Sequence, residues 1–157
     1  MANYFPHVDT IRADQEKYFD ISIPQMERDF DANGGYVEYE QECSIDLGDG
    51  EETFVPLKLN LTCMGSLVES WSASLKLHSK RIDGIDWHPR YFDRYGVERN
   101  GWHRHDFDAV NLDDKLRVPV DGFDGIDSRR QFLGHALRTI GVVWNGVDHG
   151  TDELPFD

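Results

Sequence analysis

The chain has 157 residues, 30 of them acidic against 16 basic, and a formal net charge of −14. That length suits one domain with its own hydrophobic core, and an aromatic content of 12% excludes wholesale disorder. The charge excludes a broad DNA-binding surface, which needs clustered Lys and Arg; it leaves open adaptation to high salt, mimicry of nucleic acid or plain surface solvation.

Residues 1–18 are polar and charged, so no signal peptide is expected. No run of 18 apolar residues offers a membrane span, and a cytoplasmic location is expected. The first third reads as helical, with Ile11, Tyr18, Phe19, Ile21, Met26 and Phe30 along one face. Pro24 suits the opening of a second helix capped near Ser22, and Asn33-Gly34-Gly35 stops it. A strand-rich middle follows. Residues 36–43 alternate, Gly48-Asp49-Gly50 turns, and residues 54–63 alternate again. Residues 67–78 carry the cleanest period of two, with Trp71, Ala73, Leu75 and Leu77 on one side, and read as the centre of a meander. Residues 81–100 read as turn-rich; 101–109 and 116–120 read as short strands, and Gly122 to Gly125 interrupt. A helix over 128–140 is expected, with Ser128 and Gln131 as a capping box. Trp144 and Val147 suggest a further strand, and residues 151–157 a loose tail. The sum predicts one α+β domain over residues 1–150: N-terminal helices, an antiparallel β-meander, and a C-terminal helix packed on one face of the sheet. Cys43 and Cys63 fall on separate strands and read as two buried thiols.

The chemically dense spot is Gly101-Trp102-His103-Arg104-His105. Residues two apart on a strand share a face, so His103 and His105 are expected side by side, with Trp102 and Arg104 opposite. Two adjacent imidazoles can divide acid and base roles or bind a divalent metal. Asp83, Asp86 and His88 are the candidates to complete a metal set, in a two-histidine, one-carboxylate arrangement. Arg104 offers phosphate recognition, Trp102 a stacking face, and Arg81 and Arg99 further substrate contacts. The competing expectation is that these arginines pair with the many aspartates. Walker, dinucleotide, zinc-cysteine and nucleophile-elbow motifs are absent.

The order Arg81-Ile82-Asp83-Gly84, His88, Gly101-Trp102-His103-Arg104-His105 and a helix headed Arg129-Arg130-Gln131-Phe132-Leu133 resembles the TumE family of small toxins from two-gene toxin–antitoxin systems. The resemblance spans roughly residues 75–141. It implies an intracellular protein with a cognate protein partner, acting on RNA; the acidity and the helical N-terminal third depart from the family. Two functions follow as expectations. One is a ribonuclease or phosphodiesterase with His103, His105 and Arg104 at its centre. The other is an acidic, non-enzymatic inhibitor or adaptor for a basic partner.

Overall fold

In the computed structural model, which describes residues 3–65 and 67–145, a short 3-10 turn at Phe5–His7 leads into α1 (Val8–Ala13). There follow β1 (Lys17–Ser22), α2 (Ile23–Ala32), β2 (Tyr36–Asp46), β3 (Glu52–Cys63), β4 (Trp71–Leu77), β5 (Lys80–Phe92), β6 (Glu98–Asp108), β7 (Asp113–Pro119), α3 (Arg129–Thr139) and β8 (Val142–Asn145). The class is α+β. β2 to β7 form a six-stranded antiparallel sheet in sequence order, and β1 pairs with β8 in a separate parallel ribbon.

The helices begin where their caps lie. Ser22 Oγ accepts from the Gln25 amide at 3.2 Å, with Pro24 in the first turn of α2. Ser128 Oγ accepts from the Gln131 amide at 3.3 Å, and Gln131 Oε1 accepts from the Asp127 amide at 3.2 Å. After α2 the chain closes onto β3, where the Cys63 amide donates to Gly35 O at 2.7 Å. Gly35 has φ +99°, and a Cβ there would lie 2.7 Å from Cys63 O, so only glycine fits this approach.

Three expectations need correction. The helical first third is cut by β1, because Phe19 and Ile21 are buried while Tyr18 and Asp20 point outward, a period of two rather than 3.6. The segment expected as turns, 81–100, is mostly β5 and the start of β6. Its punctuating residues sit at irregularities of the ladder: Pro89 lies inside the register shift between His88 and Tyr91, where a missing N–H costs least. Finally, β4 starts at Trp71, the preceding residues Val68–Ser70 forming a 3-10 turn. The expected tail over 151–157 and Val147 lie outside the described residues.

One face of the six-stranded sheet is the core face. Leu59, Leu61, Ala73, Leu75 and Ile85 are fully buried there, under Phe19, Met26, Phe30, Phe132 and Leu133 from the helices and β1. Cys43 and Cys63 are free and buried, as expected; register sets Cys43 opposite Val55, not Cys63. Burial pushes both thiols up to about 12. On the other face β2 exposes Glu38, Glu40 and Glu42, β3 carries Lys58 and Asn60, and β4 carries Ser72, Ser74 and Lys76. Among the described residues no helix is long and apolar enough to cross a membrane.

Candidate functional site

Cross-strand register decides which side chains meet. Paired residues of an antiparallel ladder share a face. Ser72 on β4 pairs with Asp86 on β5, Asp86 with His103 on β6, and His103 with Pro119 on β7. Two residues along, His105 pairs with Arg117. The polar face of the sheet therefore collects Ser72, Asp86, His103, His105 and Arg117 in one neighbourhood, and Arg81 reaches it from the start of β5.

Asp86 is the hub. Arg81 holds it with both terminal guanidinium nitrogens, Nη1 to Oδ2 at 2.8 Å and Nη2 to Oδ1 at 2.9 Å. Ser72 Oγ donates to Oδ1 at 2.6 Å, and His105 Nε2 donates to Oδ2 at 2.8 Å. Burial works to raise the Asp86 pKa, but the hydrogen bonds from His105 and Arg81 outweigh it and hold the carboxyl below its usual range. The carboxylate only accepts, so it fixes the proton of His105 on Nε2 and leaves Nδ1 as a bare lone pair. That Nδ1 is buried without a hydrogen-bond partner.

His103 stands beside this dyad, its ring centroid 5.4 Å from that of His105. Its Nδ1 faces Gly101 O at 3.3 Å and its Nε2 faces His88 Nδ1 at 3.4 Å. His103 is fully buried, and burial pushes its pKa down to about 4 against the opposing pull of the Gly101 carbonyl and Asp86. Burial likewise lowers His105, with Asp86 acting against it. Both rings are neutral at neutral pH. His88 is half-buried and connects the pair to the surface. The Tyr91 ring packs 4.3 Å from His103, and its hydroxyl is buried without a partner; burial raises its pKa, so it stays a donor. Tyr91 and Pro119 line an open cleft of about 500 Å³ together with Pro89, Glu98, Arg99 and Asn100.

The other expected residues lie elsewhere. Arg104 and Trp102 occupy the opposite, core face, as the alternation requires. Arg104 grips Asp83 with Nε and Nη2 at 2.8 Å each, and Arg12 adds a second contact to Asp83 at 3.7 Å. Asp83 is thus removed from the histidines and serves an ion-pair network under α1. Trp102 packs on Phe123 and Phe132, both at 5.4 Å, half-buried against the core and lining a separate open cleft. Arg99 pairs with Asp93 at 3.1 Å at the cleft rim. Arg81 is in the cluster, but bound to Asp86. Sequence reasoning missed Tyr91 and Arg117. Tyr91 follows the register shift of β5 and Arg117 stands on a strand whose partner could not be counted without the bulges.

One atom from each of Asp86, His103 and His105 lies within 4.8 Å of the other two, a spacing compatible with one metal ion. The charges fit a cation poorly. All four lone-pair positions of the Asp86 carboxylate are occupied by Arg81, Ser72 and His105. The charges of Arg81 and Arg117 both act on His105. With the histidines neutral, two guanidiniums against one carboxylate leave the cluster net positive inside a chain of net charge −14. Comparison of the chain with protein-family models, with curated proteins and with solved structures found no match.

Proposed function

We propose that this protein is a small toxin-type phosphodiesterase that cleaves RNA, with His105 as general base. The observation that carries this reading is the Asp86–His105 pair: Asp86 fixes the tautomer at 2.8 Å and leaves Nδ1 buried and unpartnered. A histidine kept neutral by its surroundings and oriented by a carboxylate is the form a base needs. In the reaction His105 Nδ1 takes the proton of the ribose 2′-hydroxyl. The 2′ oxygen attacks phosphorus, the bond to the 5′ oxygen breaks, and the leaving oxygen receives a proton by way of His88, which links His103 to the surface. The products are a 2′,3′-cyclic phosphate and a free 5′-hydroxyl. A cytoplasmic setting and a cognate protein that restrains the activity belong to the same reading.

The test is cleavage of a short RNA by the purified protein in EDTA, with cyclic-phosphate ends detected on the product. His105→Ala and Asp86→Asn should each lower the rate by at least a hundredfold. A wild-type protein without cleavage, or a His105→Ala protein as active as wild type, removes the reading. A second reading rests on the exposed ladder Glu38, Glu40 and Glu42 along edge strand β2. It makes the protein an acidic inhibitor of a basic partner, with binding that weakens steeply with salt and ignores His105→Ala.

A further inference from the structure

The arginines around the site have carboxylate partners. Arg12 meets Asp83 and Asp106, Arg81 meets Asp86, Arg94 meets Asp106, Arg99 meets Asp93 and Arg104 meets Asp83. Arg117 differs. It is half-buried on β7, in register with His105, and its side chain has no ion pair or hydrogen bond among the described residues; its Nε is buried without a partner. In a chain with 30 acidic residues, a half-buried guanidinium left without a carboxylate is conspicuous.

Arg117 is not alone. Tyr91 is only 2% exposed, and its hydroxyl is likewise unpartnered. Register sets Arg117 beside His105, and the Tyr91 ring packs on His103, whose ring neighbours that of His105; the Arg117 charge accordingly acts on both Tyr91 and His105. Two orphaned donors therefore stand beside one orphaned base. Arg81 contributes a further positive charge; its Nη1 and Nη2 are engaged by Asp86 and Ala73 O, while its Nε is also buried without a partner. Unpaired donors, net positive charge and a bare histidine nitrogen are the complement of a tetrahedral oxyanion carrying a hydroxyl to be deprotonated.

We infer that Arg117 and Tyr91 form a phosphoryl-binding subsite beside His105, reached past the Tyr91 and Pro119 wall of the adjoining cleft, and that the ligand is the phosphodiester of a ribonucleotide chain. Arg117 Nε and the Tyr91 hydroxyl donate to the non-bridging oxygens. This deepens the phosphodiesterase reading and rests on it for the identity of the diester, but the anion site has its own test.

Inorganic phosphate is titrated into the full-length protein in EDTA at low ionic strength while the arginine Nε–Hε signals are followed by NMR. One Hε resonance should move with saturation, and the same resonance should be missing from Arg117→Lys. Affinity should fall about tenfold in Arg117→Met and several-fold in Tyr91→Phe, in proteins whose circular dichroism matches wild type. A deoxydinucleotide, which has the diester but no 2′-hydroxyl to react, should displace the phosphate. If no Hε signal moves in EDTA, or if the deoxydinucleotide fails to compete, the inference falls. Phosphate binding without RNA cleavage would remove only the enzymatic reading. RNA cleavage undiminished in Arg117→Met would remove only the subsite.

Discussion

Asp86 combines two duties that a single substitution separates. Its ion pair with Arg81 is mostly shielded from water, so removing the negative charge strands a guanidinium rather than merely deleting a bond. Asp86→Asn is expected to lower stability by about 3 kcal/mol, read by urea denaturation, beyond its effect on any rate. His103 gives the molecule its acid limit. Folded, it holds no proton until the pH nears about 4, whereas the unfolded chain takes one up near 6.5. Between these values the unfolded state binds more protons, so stability rises with pH and is lost on acidification. That amounts to about 3 kcal/mol for this one ring. Asp86 acts in the same direction at lower pH, since its depressed pKa makes protonation favour unfolding. Denaturation curves at pH 7 and pH 4.5 should show the loss, and His103→Phe should flatten it.

At the scale of elements, β5 decides whether the site exists. It carries Arg81, Asp86, His88 and Tyr91, and its two register shifts set which of them face the histidines. Gly84 lies just beyond the first of these and leaves room for the Arg81 guanidinium. A Cβ on it would lie 2.5 Å from Ala73 O and 2.5 Å from Arg81 Nη2. Gly84→Ala should therefore cost about 2 kcal/mol and displace Arg81 from Asp86. A lowered urea midpoint together with, on the proposed phosphodiesterase reading, a lowered RNA-cleavage rate checks both effects. Ser128→Ala should cost about 1 kcal/mol through the α3 cap alone and leave the rate unchanged. The same element explains what was readable in advance. Strict alternation put His103 and His105 on one face and Arg104 and Trp102 on the other, because this stretch of β6 precedes the register shift between Asp106 and Asp108 and keeps its period. The caps at Ser22 and Ser128 were readable because they depend on neighbours within one turn. β5 was hidden because Asp83-Gly84 and His88-Pro89 look like turns locally, and only pairing with β4 and β6 makes them kinks inside a strand. Asp86 was legible as a residue type, but its choice over Asp83 was not. Both are acidic and near in sequence, and only register separates them.

For the whole molecule, two unlike assemblies are joined. The six-stranded meander links each strand to its chain neighbour, while the β1–β8 ribbon joins segments from the two ends of the described chain. Lys17 reinforces the ribbon from inside. It is fully buried, its ammonium donates to Ile11 O at 3.0 Å and to Asp14 O, and burial brings its pKa down to about 8. Trp144 on β8 is buried with Val142 in the common core. Trp144→Ala should remove about 3 kcal/mol, measured by thermal or urea unfolding, and loosen β1 from β8 without altering the register at His103. The ribbon also carries a meaning in time. Lys17 and its partner Val142 stand about 125 positions apart, so a ribosome delivers one long before the other. The strands that hold Asp86 and His105 are made, and can pair, while β1 still waits for β8. The strands of the site can therefore pair before β8 is available, and the ribbon that joins β1 to β8 closes after them.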